Sequence, residues 1–498
     1  MNSLKRRFSA VEGTAALFFI QIFATLGFAV LYSTLVLYAT KHLQLDTKEA
    51  TALMGVFGAF NYGLHLFGGY LGGRFLSNRN LFVGGMALQV IGCACIATGT
   101  LPLFYVGLAL FLTGSGLNVT CINMMLTQRF TPEDPRREGA FLWNYAGMNV
   151  GFFVGFSVAG HFQATESYSN LFIFATLGNF VAIILAFFNW KTLSDRNTPL
   201  LDKTPKQFRL RNLAGIGILI GLVPVVWFML QRPDGTELII KAICGAVAIM
   251  LIYLTIRHQD RREQRNMTAY VILSVGSLMF WSLYQMAPSG LMLFAVNNVN
   301  LVMGPVTIQP QWIQNINTVC IVVGGPLLAA LFTRLRARGW KIDIPKQFAA
   351  SLLLMAIAFL ILPVGIKLAG DGKSAFAWLF WSYVLQSIGE LLISPIGYAM
   401  IGKLAPRQYQ GIMMGSWMLW TGLASLFAGD FSGRIPNPVG ATPAATNAGY
   451  EKLFIELGIG TLAVGVALVA LIPILRKLIT DKADDVPAEV PSTVVPVG

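Results

Sequence analysis

Apolar residues run along this chain in blocks of about 18–25, separated by short stretches rich in Arg, Lys, Gly and Pro. A block of that length spans the roughly 30 Å of a bilayer's hydrocarbon as an α-helix. Backbone polar groups in lipid must be satisfied within their own segment, so the pattern predicts helices rather than strands. Fourteen spans are predicted: 14–40, 50–73, 81–98, 102–127, 139–163, 169–190, 213–230, 237–257, 268–290, 312–334, 347–367, 376–402, 410–432 and 453–476. The first is too long for a cleaved signal peptide and is followed by further spans.

Two hydrophilic linkers, 191–212 and 257–267, isolate a helical hairpin at 213–257 from six spans on either side. The expected organisation is an N-terminal six-helix bundle (1–190), linkers with an inserted transmembrane hairpin (191–267), a C-terminal six-helix bundle (268–480) and a disordered cytoplasmic tail (481–498). The halves are weakly alike: GGYLGGRFLSNRN (68–80) and LLAALFTRLRARG (327–339) are each a small-residue helix end running into an Arg-rich turn. Parallel six-helix repeats describe the all-α major facilitator fold, with solute bound at the midplane between halves.

Composition agrees, with 55% hydrophobic and 12% charged residues in a chain of 498; a water-soluble protein needs more polar surface. Basic residues then predict orientation, because short Lys/Arg-rich loops stay cytoplasmic. Lys5–Arg7, Arg74 and Arg79, Arg129 to Arg137, the 191–211 linker, Arg257–Arg265, Arg334–Lys346 and 403–407 all fall on one side, placing both termini in the cytoplasm. The net charge of +13 is therefore a topology signal. It does not point to nucleic acid, since no basic run is interleaved with stacking aromatics. The five cysteines, Cys93, Cys95, Cys121, Cys244 and Cys320, all lie in apolar spans. They indicate neither a disulfide framework nor a metal cluster, and nothing indicates a cofactor.

Glu390 is the ionisable residue that stands out, alone between the ends of WLFWSYVLQSIGELLISPIGYAMIGK (378–403). A mid-membrane carboxylate costs about 2.5–3.5 kcal/mol on insertion scales, so it faces a bundle interior or a watery cavity and is a functional candidate. The bland alternative is a neutral Glu bonded to backbone. Pro395 and the nearby Ser387 and Ser394 loosen that helix. His65 is a second candidate, for a proton relay, against the ordinary reading of a packing histidine. Glu456 with Lys452 at i−4 reads as an interfacial ion pair, and Asp430 and His161 fall near span ends. Trp281, Tyr284, Gln285 and Asn297, in FWSLYQMAPSGLMLFAVNN (280–298), suit the lining of a polar organic solute; near span ends aromatics also anchor at interfaces.

SIGELLISPIGYAMIGKLAP (387–406), with GIMMGSWMLWTGLASLFAGDFSG (411–433), resembles the proton-dependent oligopeptide transporter family of the major facilitator superfamily. YQMAPSGLMLFAVNN, PQWIQNINTVCIVVGGP (310–326) and DPRREGAFLWNYAGMNVGFF (134–153) are similar to its seventh-, eighth- and fifth-helix segments. The resemblance spans nearly the whole chain and includes the two-helix insertion of bacterial members. It implies that Glu390 faces a peptide's amino end. Substrate contacts are expected at Tyr145, Asn149, Asn317, Ser394 and Trp417 beside Trp281, Tyr284 and Gln285. The resemblance implies proton coupling through acids of the first and seventh core helices; from the residues themselves, Glu390 and His65 are the candidates for it.

The chain departs from that pattern where the family carries charge. The first-helix ExxERF segment is Gln21-Ile-Phe-Ala24-Thr25-Leu26, the fourth-helix Lys position is Val119, the seventh-helix acid is Gln285, and the Asp of the 2–3 loop is Gly73. Losing two acids and an Arg together leaves no unpaired charge behind. The expectation is a secondary transporter, not an enzyme, working as a monomer in a bacterial inner membrane and carrying di- or tripeptides in symport with protons. A relative carrying another peptide-like metabolite or a siderophore, with altered coupling, is the second reading. A membrane enzyme lacks a nucleophile–base set, and a channel lacks a filter or charged ring.

Overall fold

The computed structural model describes residues 12–131, 134, 136–340, 342–406, 408–435 and 441–479. The expected tail at 481–498 and the cluster Lys5–Arg7 lie outside these residues. Among them, the long helices are α1 (Thr14–Leu37, prolonged by a π-turn to His42), α2 (Thr47–Leu71), α3 (Asn78–Ile96), α4 (Leu101–Thr127), α5 (Arg136–Ala164) and α6 (Tyr168–Phe188). The hairpin is α7 (Pro205–Leu230) and α8 (Pro233–Ile256). There follow α9 (Arg261–Tyr284), the short α10 (Gly290–Asn298) and α11 (Pro310–Ile313), then α12 (Asn315–Ala337), α13 (Ile344–Ala369), α14 (Phe376–Leu404), α15 (Gln410–Gly433) and α16 (Pro443–Leu478). Each expected span falls on one long helix, except that the ninth also takes in α10 and the tenth begins in α11.

The differences lie at helix ends. The ninth span does not continue unbroken to residue 290: α9 stops at Tyr284, the chain turns around Pro288, and α10 resumes the crossing. Proline removes a backbone donor and forces that interruption; the Ser432 hydroxyl accepts from the freed Gly290 N–H at 2.9 Å. Helices α7 and α16 begin well before their apolar runs, because hydropathy reports the length in lipid and not the length of helix. Their polar first turns carry Pro at the first positions, and the Thr204 hydroxyl caps α7 by accepting from Gln207 N–H; both are ordinary helix starts.

Tight packing rests on glycine pairs. A side chain at Gly92 would meet the Gly107 carbonyl oxygen at 2.6 Å, and one at Gly114 would collide with the Gly85 carbonyl, so α3 and α4 lie backbone to backbone. Small residues of this kind permit close approach where lipid supplies no hydrophobic drive between helices. The α2–α15 seam is built the same way: Gly55 lies against Ser425 O and Gly429 against Thr51 O. On that side, remote from the Arg-rich loops, further bonds cross between the two groups of helices. Gln311 Nε2 donates to Gln163 Oε1 at 3.0 Å, Trp312 Nε1 to Ser157 O at 2.9 Å, and Asn315 Nδ2 to Ser157 Oγ at 3.0 Å. The hairpin is fastened by Lys241 on α8, which pairs with Glu237 and, at 3.0 Å, with Asp430 on α15. Glu456 meets both Lys452 and Arg434 at 4.0 and 3.8 Å.

On the opposite side the chain after α6 is tied to the 2–3 and 4–5 loops. Gly73 adopts φ +73° with its β-carbon position against Thr198, a backbone region that L-residues with bulk avoid. The carboxylate there comes instead from Asp195, which accepts from Asn78 N–H at 3.0 Å and from Asn78 Nδ2 at 3.2 Å, at the start of α3. Arg79 stacks over Trp190 and donates to its carbonyl, and Arg129 donates to the Met125 and Thr192 carbonyls. Burial pushes the Asp195 carboxyl above its ordinary value, against lowering by the Asn78 bonds and by Arg79 and Arg129. A raised folded-state pKa means that the folded chain holds the proton more tightly, so stability falls as pH rises from the ordinary carboxylate value to the raised one. Asp195→Asn is expected to flatten that segment of the melting-temperature profile, while Asp195→Ala, which removes the cap, costs about 1 kcal/mol. Equal melting curves for Ala, Asn and the parent chain would rule the cap out.

Candidate functional site

Midway between the two faces, a cavity of about 560 Å³ is lined by α1 to α5 on one wall and by α9, α12, α14 and α15 on the other. Glu390 stands midway along α14. Its Oε2 accepts from Asn317 Nδ2 of α12 at 2.7 Å, and the same amide reaches Ser387 Oγ at 3.1 Å. Tyr284 lines the same cavity from α9. A neutral donor from a neighbouring helix therefore holds the carboxylate. Among the described residues the cavity lining contains no Lys or Arg and no second acid, so Glu390 is presented without a competing cation.

Ten of the eleven residues expected from the sequence line this cavity, Glu390, His65, Tyr145, Asn149, Trp281, Tyr284, Gln285, Asn317, Ser394 and Trp417, and Asn297 does not. Their surroundings differ. Asn149 is buried and donates to the Tyr145 carbonyl at 2.9 Å, while Tyr145 is 46% exposed. Trp417 is 3% exposed and packs edge-on to Phe348, with Gly397 leaving room for its ring; it is mainly wall. Trp281 stacks edge-to-face on Phe280 and Tyr284. The imidazole of His65 is packed edge-on to Tyr62, and its Nε2 is buried without a hydrogen-bond partner among the described residues. Asn297 sits on α10, outside the lining.

The positions that depart from the family pattern form neutral networks. Asn144 Nδ2 donates to Gln21 Oε1 at 3.4 Å and Gln21 Nε2 to Thr25 Oγ1 at 2.9 Å. Gln285 accepts from the Tyr32 hydroxyl at 3.0 Å and donates to the Tyr62 hydroxyl at 2.8 Å. An amide serves both bonds because it carries a donor and an acceptor. Tyr32, Tyr62, Gln89 and Asn118 also line the cavity and were not anticipated. The cost reasoning that picks out Glu390 also picks out mid-span amides, so Gln89 and Asn118 carried a weaker form of the same signal.

Comparison with known proteins agrees with this fold. Residues 79–435 match the POT family. Dipeptide and tripeptide permease A of Salmonella typhimurium is 30% identical over 473 residues, covering 93% of this chain and 92% of the permease. The permease of the same name from Escherichia coli K12 is 28% identical, covering 94% and 93%. Among solved structures, a peptide transporter POT in complex with alafosfalin superposes with a TM-score of 0.83 at 24% identity, over 95% of this chain and 96% of that one. A POT family transporter in complex with 5-aminolevulinic acid gives 0.81 at 21% identity, over 94% and 97%. With most of its length and its helix order accounted for, this chain belongs to the POT family.

Proposed function

We propose that this chain is a secondary transporter of the bacterial cytoplasmic membrane. It carries di- and tripeptides or peptide-like solutes in symport with protons, as a monomer with both termini in the cytoplasm. The observation that carries the reading is the mid-membrane cavity with Glu390 as, among the described residues, its lone carboxylate, held by Asn317 where the two groups of helices meet. Such a carboxylate can take an ammonium group or a proton in turn, and rocking of the two groups exposes it to each face. The names of the related permeases support the substrate class.

A second reading is favoured by the Gln21–Thr25–Asn144 chain, which is neutral where the family resemblance places charge. Under it the chain carries a different peptide-like metabolite or siderophore with altered coupling. Reconstituted vesicles with an imposed pH gradient separate the two. Accumulation of a labelled dipeptide that collapses when the gradient is dissipated supports symport. Uptake indifferent to the gradient favours the second reading, and no uptake of any peptide-like solute by folded protein defeats both.

A further inference from the structure

We infer that the cavity selects solutes with a free amine at one end and a neutral hydrogen-bonding group at the other, so that a peptide amide is preferred to the free-acid peptide. This rests on the transport reading above and adds its substrate class. Charge in the lining is one-sided. Glu390 on the α14 wall suits an ammonium group, and among the described residues no Lys or Arg lines the cavity to receive a carboxylate. Opposite lie Asn61, Gln89, Ser115, Asn118, Thr120 and Asn149, amides and hydroxyls from α2 to α5.

The cations of that half are committed elsewhere. Arg129 sits at the foot of α4 and donates to the Met125 and Thr192 carbonyls, and Arg79 is bound to the Trp190 carbonyl and stacked on its ring. Two amides of the facing wall bear on the same question. Gln89 Nε2 and Asn118 Nδ2 both turn to the Met86 sulfur, at 3.4 and 2.8 Å. Their oxygens, Gln89 Oε1 and Asn118 Oδ1, are buried and without donors among the described residues. Two of the amides of this wall thus spend their N–H groups on sulfur and not on a solute carboxylate. A buried carboxylate without a cation is penalised, whereas a terminal amide carries no charge to desolvate.

The test uses full-length purified protein, in detergent for binding and in lipid vesicles for uptake. The probes are alanyl-phenylalanine, its C-terminal amide, and the N-acetylated amide. The amide is expected to bind at least tenfold more tightly than the free acid, and the N-acetylated amide to lose that gain because it lacks the amine. Equal or tighter binding of the free acid overturns the inference. If that binding strengthens at pH 5.5 and disappears in His65→Gln, His65 is the carboxylate's partner and the inference is overturned with its cause. An amide that binds but is not carried into vesicles leaves the selectivity standing and removes the transport reading. Free-acid uptake matching that of the amide does the reverse. If no probe binds, both fall.

Discussion

Replacing Glu390 with Gln is expected to lower solute uptake about ten- to a hundredfold while leaving the protein as stable as before or more so. The two halves of this expectation have separate causes. A hydrogen bond to a charged group contributes roughly 1.5–3 kcal/mol, so losing the carboxylate weakens capture of an ammonium group by about that margin. The folded state is spared because Gln keeps a carbonyl oxygen to accept from Asn317 Nδ2, now 2.7 Å from the carboxylate, and because a neutral isostere removes the cost of burying a charge. Uptake and melting temperature measured on one preparation decide the matter. If uptake stays within about twofold and its pH dependence is unchanged, Glu390 is a structural residue.

Gly114→Leu is expected to damage the fold itself, by more than the roughly 1–3 kcal/mol usual for overpacking. A side chain at Gly114 collides with the Gly85 carbonyl and meets Gln89 Cγ at 3.0 Å. Backbone cannot swing aside as a flexible side chain can, so α3 and α4 must separate along their length. The neighbouring pair is equally close, with Gly107 lying 2.5 Å from the Gly92 carbonyl once a β-carbon is added. The control is Gly221→Leu on α7, where nothing lies within 4 Å and where Leu is a better helix former than Gly. Thermal melting in detergent should fall sharply for the first variant and hold or rise for the second. Identical curves would mean that the glycine contact is incidental.

Helix number and order were legible because each apolar block has to satisfy its own backbone in lipid, a constraint that acts within one segment. Even α2 and α5, less apolar than the other spans, kept their length, and their polar interruptions, Asn61, His65, Asn144 and Asn149, turned out to belong to the cavity or its wall. Glu390 was legible because one charge in an apolar run has no cheap explanation. The partnerships were not. Tyr32 and Gln285 are 253 residues apart, and a tyrosine in a membrane span reads equally well as an anchor. Asp195 reaches Asn78 across 117 residues, from a linker whose composition shows only that it is polar. Contacts of that range depend on how helices pack, which no periodicity records.

The contact that Gln285 makes with Tyr32 and Tyr62 has a consequence for how the transporter responds to its surroundings. Salt weakens attraction between charges and leaves bonds between neutral groups almost untouched. Opening this contact separates an amide from two phenols, so its strength is the same in dilute and in concentrated medium. A membrane voltage, worth about 2.3 kcal/mol per elementary charge per 100 mV, finds no formal charge in it to pull on. Among the described residues of the cavity lining, the formal charge on which salt and voltage can act is that of Glu390 and whatever cation it holds, so that there the cargo, rather than this contact, is the part that feels the field.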